Sequence, residues 1–186
     1  MKVALTGGIA CGKSLIATYL NEFGVETIDA DDVVHELIPA AERKRLAAVV
    51  FRDPVARREL EARIHPIVQA RIAAFLESRC AAGGTASSIR LAVIPLLFEA
   101  HWEKNFDIIC CVKSEREAQV SRMMTTRGYT REEAEARLAA QLPVAEKAAK
   151  SHYVIENDGS SEDLREKVRQ FVVWLGRKSE QFQERH

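Results

Sequence analysis

A glycine-rich turn near the N-terminus constrains the fold of this chain more than any other feature. The stretch LTGGIACGKS runs from Leu5 to Ser14 and fits the pattern Gly-x-x-x-x-Gly-Lys-Ser of a phosphate-binding loop. An apolar run precedes it and a segment with helical spacing follows it, which is the context that the pattern requires. Glycines let successive backbone N–H groups point inward as an anion nest, and a helix N-terminus adds positive potential. The turn therefore predicts a nucleotide-phosphate site.

Two side chains of this turn have expected roles of their own. Lys13 is expected to reach the β- and γ-phosphates of the nucleotide. The hydroxyl of Ser14 is expected to ligate a Mg²⁺ ion that is itself bound to phosphate oxygens. The alternative is a glycine-rich turn that matches the pattern by accident, and the strand before it and the helix after it argue against that.

Hydrophobic periodicity predicts an α/β fold. Short apolar runs alternate with longer helical patterns, which favours a parallel sheet with helices on both faces. We predict strands at 2–6, 25–28, 90–94, 107–112 and 153–155. We predict helices at 12–23, 30–38, 43–50, 54–79, 115–126, 131–141 and 161–177, and a loop at 80–88. In the last helix an apolar stripe is expected to pack on the sheet: Leu164, Val168, Phe171, Val172 and Leu175.

Composition bears on which partners the protein binds and on the cellular compartment in which it is expected. Lys plus Arg and Asp plus Glu both number 27, so nothing in the formal charge argues for a nucleic-acid partner. No apolar stretch approaches the ~20 residues of a membrane span, and no signal peptide precedes the first strand. The spacing of the four cysteines is not that of a metal site: Cys11, Cys80, Cys110 and Cys111. Reduced thiols in a cytoplasmic protein without membrane contact are the expectation, and the oligomeric state is left open.

Three aspartates follow the second predicted strand, in the stretch VETIDADD. Asp29, Asp31 and Asp32 lie at the carboxyl end of that strand, where open α/β sheets carry their ligand sites. A phosphoryl acceptor needs a carboxylate that orients its hydroxyl and takes its proton. Asp31 is one candidate, and Asp29 is a candidate for water-mediated contact with Mg²⁺. The alternative, that these aspartates cap a helix, is left open by the spacing.

An arginine-bearing helix is predicted after Thr130, which forms a capping-box pattern with Glu133. Arg137 and Gln141 are four residues apart and share one helix face. A kinase needs cations over the transferring phosphoryl group, and a mobile helical lid is one way to supply them. Further arginines lie just upstream: Arg122, Arg127 and Arg131. For most of these arginines a solvated, ion-paired helix surface is the favoured alternative.

Taken together, these stretches resemble the dephospho-coenzyme A kinase family. The matching pieces occur in the family's order and span Leu5 to Ser160: LTGGIACGKS, IDADDVVHELI, VFRDPVARRELEARIHP, IPLLFE, REEAEARLAAQ and VIENDGS. The phosphate loop alone indicates only a P-loop NTPase. The DAD, HP and PLLFE pieces in combination are much more specific.

The resemblance implies a fold and a reaction. It implies a three-layer P-loop domain over residues 1–186, with a five-stranded parallel sheet, a helical acceptor-binding insertion at 33–88 and lid helices at 114–149. It implies transfer of the γ-phosphate of ATP to the ribose 3′-hydroxyl of dephospho-coenzyme A, with Mg²⁺. GTP in place of ATP is not excluded by the sequence.

The resemblance also implies roles for individual residues. Asp31 is the expected general base, Lys13 and Arg137 are expected to stabilise phosphate charge, and Asn157 is expected beside the adenine. The loop residues expected to hold ATP are Gly8, Ile9, Ala10, Cys11, Gly12, Lys13 and Ser14.

A second set of residues is expected on the acceptor side. His65 belongs to the expected acceptor-binding region, although a capping or core histidine before Pro66 is the alternative. Pro95, Leu96 and Glu99 are expected to shape the acceptor pocket, with Glu99 as a polar contact. Leu96, Leu97 and Phe98 are expected in its wall or in the core rather than in the chemistry.

Two departures from the family pattern keep other functions open. The segment at 38–50 is shorter than usual, which shortens the acceptor-binding insertion. Thr126 stands where the lid usually has an arginine, and adjacent Arg127 points elsewhere unless the helix ends there, as Gly128 suggests. The alternatives are another P-loop kinase for a small molecule or nucleotide, and a non-catalytic nucleotide-binding protein.

Overall fold

The computed structural model describes residues 1–38, 53–78 and 89–184, together with the helical positions Glu42 and Leu46. The predicted helix at 43–50, apart from Leu46, and the predicted loop at 80–88 lie outside the described residues. The chain divides into two compact units. One comprises Met1–Thr27 and Cys80–His186, and the other comprises Ile28–Arg79.

The described strands form one sheet of five, in the order β2–β3–β1–β4–β5. Strand β1 pairs in parallel with β3 and β4, and β4 pairs in parallel with β5. The strands are β1 (Val3–Gly7), β2 (Glu26–Asp29), β3 (Arg90–Val93), β4 (Ile108–Lys113) and β5 (Tyr153–Glu156). Each agrees with its predicted strand within one or two residues, and the predicted parallel α/β sheet is confirmed.

Described α-helices lie between β1 and β2, between β2 and β3 and between β4 and β5, whereas a 3₁₀ turn lies between β3 and β4. The described helices are α1 (Lys13–Glu22), α2 (Ala30–Leu37), α3 (Pro54–Glu77), α4 (Arg116–Arg127), α5 (Arg131–Ala139), α6 (Val144–Ala149) and α7 (Ser161–Gln183). A 3₁₀ turn covers Glu103–Asn105. None of the helices in the described ranges is both long and apolar enough to cross a membrane.

The core of the first unit is built around β1, whose five residues are all buried. The predicted stripe of α7 is confirmed, since Leu164, Val168, Phe171 and Leu175 are buried in this core and Val172 packs against it. The ring centroids of Tyr153 and Phe171 lie 4.8 Å apart. Aromatic pairs at this separation add to the free energy of burial. Helix α7 is thereby fixed to β5.

The second unit contains α2 and α3. Asp53 caps α3 by accepting the N–H groups of Val55 and Ala56, and Pro54 occupies the first turn, where its missing N–H costs nothing. On the surface, Arg71 of α3 donates to Glu36 of α2 at 2.8 Å. Val33 of α2 and Val68 of α3 are buried.

Two features differ from the sequence prediction. The short helix α6 was not predicted, because its six residues are too few to display a helical period. Helix α7 continues to Gln183, six residues beyond the predicted end at Arg177. Its capping box at Ser160 and Asp163 marks the start clearly, whereas its end carries no glycine signal.

Candidate functional site

The phosphate loop connects β1 to α1 as predicted. Its backbone turns through two left-handed positions, Ala10 with φ 57° and Gly12 with φ 94°. Gly12 is the N-cap of α1 and supplies no side-chain cap. The first N–H groups of α1 are therefore left for a ligand, as in other helix N-termini that bind anions.

Two glycines of the loop are required by close approach of neighbouring groups. A Cβ at Gly12 would lie 2.4 Å from the Asn157 amide nitrogen, in a backbone conformation that side chains rarely adopt. A Cβ at Gly8 would lie 2.7 Å from Oε1 of Gln119. Neighbouring side chains thus pack against the loop at Gly8 and Gly12, and they leave no room for a larger residue at either position.

Lys13 and Ser14 occupy the first turn of α1. The Lys13 ammonium donates to the carbonyl oxygens of Gly7 at 3.2 Å and Gly8 at 2.8 Å. These bonds keep the ammonium inside the loop. Ser14 is exposed at the open end of the helix. In the described part of the chain, no group of three or more His, Cys, Asp or Glu side chains is placed to hold a metal ion. A single hydroxyl at a phosphate loop suits Mg²⁺, which keeps most of its coordination for phosphate and water oxygens.

Asn157 is buried and braces the loop. Its amide nitrogen donates to the carbonyl of Cys11 at 2.9 Å, and its backbone N–H donates to the carbonyl of Lys113 at 2.8 Å. Asn157 therefore joins the ends of β4 and β5 to the loop. The expected contact with adenine stays a prediction.

Arg122 is a site residue that the sequence analysis named only as one of several arginines near the predicted lid, without a role of its own. Its guanidinium donates to the carbonyl of Ala10 at 3.3 Å, the hydroxyl of Ser114 at 2.9 Å and the carbonyl of Asn157 at 2.7 Å. Arg122 thus ties α4 to the loop and to the ends of two strands. One signal was available in the sequence: Arg122 lies three residues after Gln119, on the helix face that carries the buried residues of α4.

The cysteines near the loop are buried free thiols, as expected; Cys80 lies outside the described residues. Burial raises the pKa of the Cys11 thiol above its usual value, although the nearby Lys13 ammonium acts in the opposite direction. Burial also raises the pKa of Cys111 to about 12. Both thiols are therefore protonated at neutral pH, so neither is a nucleophile.

A cavity of about 260 Å³ adjoins the phosphate loop. Gly8 and Ile9 form one wall, and the segment from Leu138 to Ala145 supplies another. Polar side chains at its edge include Lys113, Gln119 and Gln141. The structure thus places a polar-rimmed cleft between the loop and the chain that follows α5.

The loop after β3 carries the predicted Pro95, Leu96 and Glu99. Leu96 is exposed, whereas Leu97 and Phe98 are buried, as expected for core residues. Glu99 accepts the N–H of Leu142 at 3.1 Å and lies 2.7 Å from the ammonium of Lys147. The other oxygen, Oε2, is buried and accepts no hydrogen bond from the described residues. Lys147, which the sequence analysis missed, is therefore the partner of Glu99.

Asp31 and His65 belong to the second unit. Asp31 is exposed in the first turn of α2, and its N–H is capped by the side chain of Asp29 at 2.8 Å. Capping is thus confirmed for Asp29, while the role of the exposed Asp31 as a base stays a prediction. His65 lies in the middle of α3 and is half-buried. Capping is therefore wrong for His65, while the acceptor-binding role and the core alternative both stay predictions.

The arginines of α4 and α5 divide into two kinds. Arg131 pairs with Glu117 and Glu135 on the surface, as the solvated alternative predicted. The Arg137 guanidinium is exposed and lies 4.3 Å from the centroid of the Tyr129 ring. Helix α4 ends at Arg127, with Gly128 left-handed at φ 68°, as the glycine suggested. The roles of Arg137 and Arg127 toward phosphate stay predictions.

Comparison with known proteins agrees with this geometry. The family model described as dephospho-CoA kinase matches residues 1–42 and 39–163. The dephospho-CoA kinase of Geobacter sulfurreducens is 35% identical over 94% of this chain and 98% of its own length. That of Anaeromyxobacter dehalogenans is 38% identical over 93% of this chain and 91% of its own length.

Solved structures share the fold. TT1252 from Thermus thermophilus superposes with a TM-score of 0.76 at 31% identity, covering 94% of this chain and 97% of its own. A shikimate kinase from Bacteroides thetaiotaomicron, at 14% identity and a TM-score of 0.57 over 94% of this chain and 98% of its own, shows the fold alone. From its phosphate loop and its match along nearly the whole length of these relatives, the chain belongs to the dephospho-coenzyme A kinase family.

Proposed function

We infer that the protein transfers the γ-phosphoryl group of ATP to the ribose 3′-hydroxyl of dephospho-coenzyme A, which yields coenzyme A and ADP. The observation that carries this inference is the braced phosphate loop in a chain of this family. In phosphoryl transfer the protein forms few covalent bonds, so positioning and charge stabilisation account for most of the rate. The remaining question is which side chains of this protein position the reactants and which stabilise the phosphate charge.

The nucleotide side of the reaction is assigned to the loop. Backbone N–H groups from Gly8 to Ser14 would surround the β- and γ-phosphates. Lys13 would exchange its hydrogen bonds to the loop carbonyls for phosphate oxygens, which accept more strongly because they are charged. Asn157 and Arg122 hold the loop in shape, so no reorganisation is needed as charge develops on the phosphoryl group. Asn157 would also border the adenine.

A Mg²⁺ ion fits the exposed hydroxyl of Ser14. When bound, the ion would neutralise part of the charge on the phosphate oxygens. The chain itself contributes one hydroxyl and the loop that orients the phosphates around it.

Asp31 is the proposed general base. Its carboxylate is exposed, and the Asp29 cap that accepts its N–H fixes the start of α2. A base here would orient the ribose hydroxyl and accept its proton as the phosphoryl group transfers. Asp32 is exposed one residue further along the helix, where successive side chains point about 100° apart.

Further residues are assigned to the acceptor and to phosphate charge. His65, Pro95, Leu96 and Glu99 are proposed to contact or border dephospho-coenzyme A. Arg137 is proposed to move over the phosphates, because an exposed guanidinium whose contact in the described residues is a tyrosine ring leaves N–H donors for phosphate oxygens. Nothing in the described part of the chain favours a second function.

The function is tested by an acceptor panel with Mg·ATP, in which ADP release is followed and the product is identified by mass. The panel contains dephospho-coenzyme A, adenosine, AMP, gluconate, shikimate and a blank, because shikimate kinases and gluconokinases share the fold. Turnover with dephospho-coenzyme A alone is expected. Turnover with another acceptor, or ATP binding without turnover, would reject the inference.

Asp31→Asn tests the base within that assay. We expect kcat to fall by about 10²–10⁴-fold, since general base catalysis contributes that much, while the affinity for ATP stays within about twofold. Asp32→Asn is the matched control, because it removes an exposed carboxylate from the adjacent position of the same helix. Equal kcat values for the two variants would remove the role of Asp31.

A further inference from the structure

The first unit contains an ion pair whose lysine is buried and has no role in the mechanism above, although its carboxylate, Glu99, is proposed to border the acceptor. Lys147 lies in α6, and its side chain has 0% exposure to solvent. Its ammonium lies 2.7 Å from Oε1 of Glu99 and donates to the carbonyl of Pro95 at 3.0 Å. We call Lys147, Glu99 and Pro95 the buried clamp.

The buried clamp joins segments that are distant in sequence. Oε1 of Glu99 also accepts the N–H of Leu142, which lies between α5 and α6. The hydroxyl of Thr6, at the end of β1, donates to the same Pro95 carbonyl at 3.3 Å. The clamp therefore connects the loop after β3, the chain that returns from the arginine helices, and the strand that enters the phosphate loop.

Stability alone does not explain a charged residue at this position. Removing an ammonium and a carboxylate from water is costly, and well-packed apolar residues of similar volume often serve a fold as well or better. An ion pair adds geometric specificity, because the ammonium is stable in this position only when its acceptor atoms are correctly placed around it. Holding Oε1 from two sides also fixes where Oε2 of Glu99 points.

We propose that Lys147 is a positioning residue for the acceptor side of phosphoryl transfer. Through Glu99 and Pro95 it holds the loop Pro95–Glu99 against the segment that contains Leu142, so the acceptor pocket and the return from the arginine helices keep one relative arrangement. The kinetic part of this proposal rests on the proposed function. The clamp itself does not, since Leu142 N–H reports on it directly.

The test compares Lys147→Met, Lys147→Gln and wild type, and leaves Glu99 in place because it is itself proposed to border the acceptor. Lys147→Gln removes the charge and keeps an N–H donor for Glu99, so it provides a folded protein if Lys147→Met leaves Glu99 too unfavourable to fold. Glu146→Gln is the matched control, because it removes an exposed charge from the adjacent position of the same helix. The measurements are hydrogen exchange at the Leu142 amide, the Kd for ATP, and kcat and KM for dephospho-coenzyme A, all at a temperature where each variant is folded.

We expect Lys147→Met, or Lys147→Gln in its place, to lower kcat/KM for dephospho-coenzyme A by about tenfold or more, because a misplaced loop loses near-attack geometry. Exchange at Leu142 should accelerate by about tenfold as its bond weakens, while the Kd for ATP stays within about threefold. Glu146→Gln should match wild type in all three measurements.

Three results would overturn the proposal: unchanged acceptor kinetics in a folded clamp variant, unchanged exchange at Leu142, or a loss of ATP affinity as large as the loss toward the acceptor. An inactive wild type would reject the proposed function instead. In that case the exchange comparison at Leu142 still decides whether Lys147 holds the clamp.

Discussion

The phosphate loop and the exposed face of helix α5 are held in different ways. In the loop, carbonyl groups of Gly7, Gly8, Ala10 and Cys11 accept hydrogen bonds from side chains of three different elements. In α5, Arg131 pairs with surface carboxylates and Arg137 lies against a single tyrosine ring. One region has its geometry fixed by buried neighbours, and the other has charges that solvent can reach.

This difference separates two kinds of contribution to one reaction. Preorganised groups stabilise developing charge without moving, so they need a rigid and buried frame. Groups that close over a substrate must open again, so they belong to regions with few buried contacts. Substitutions in the loop should therefore act through the geometry of the site, whereas substitutions on the exposed face of α5 should have small effects unless the side chain reaches the phosphates.

Among the contrasts between loop and helix, the largest effect is expected for Lys13→Ala. The variant loses the ammonium that the loop carbonyls hold in place, and kcat should fall on the order of 10²–10³-fold, as when a preorganised charge-stabilising donor is removed. Steady-state kinetics with Mg·ATP and dephospho-coenzyme A measure this. Lys178→Met, at a partly exposed position of α7, is the control. A Lys13→Ala enzyme with normal kinetics would reject the assignment of the loop.

Two left-handed glycines allow the effect of side-chain crowding to be measured separately from the effect of backbone strain. Gly12 and Gly128 are both left-handed, with φ 94° and 68°, but a Cβ at Gly128 meets nothing within 4 Å. Gly128→Ala should lower the free energy of unfolding by about 1–2 kcal/mol through backbone strain, with the Kd for ATP unchanged. Gly12→Ala also carries left-handed strain and in addition displaces Asn157, so its ATP affinity should fall by about tenfold or more. Thermal unfolding and ATP titration distinguish the two.

Arg122 and Arg131 offer the smallest contrast. Arg122→Met removes three hydrogen bonds at the loop and should raise KM for ATP by about three- to tenfold, since each buried bond contributes about 1 kcal/mol and solvent replaces some of them. Arg131→Met removes only exposed ion pairs, so KM should stay within about twofold. If Arg131→Met has the larger effect, the distinction between a fixed loop and an adaptable helix is wrong.

The sequence predicted the parts of this molecule that follow from local pattern. The strand, loop and helix from Val3 to Glu22 were identified because glycine spacing and hydrophobic period act over a few residues. Arg122 and Lys147 were not, because their partners lie 112 residues away at Ala10 and 52 residues away at Pro95. A buried lysine in a six-residue helix has no periodicity to distinguish it from a surface lysine.

The pairing of β1 has a consequence for how the protein is made. Val3 registers with Leu91 on one side and with Ile108 on the other, and Cys11 is held by Asn157. A ribosome adds roughly 5–20 residues per second, so β1 waits several seconds for its neighbours. Until the chain beyond Asn157 has emerged, the loop lacks the brace that shapes it. ATP can therefore bind only when the chain is nearly complete. Its binding stabilises contacts that form late in folding, such as the bond from Asn157 to the loop, rather than those that form first.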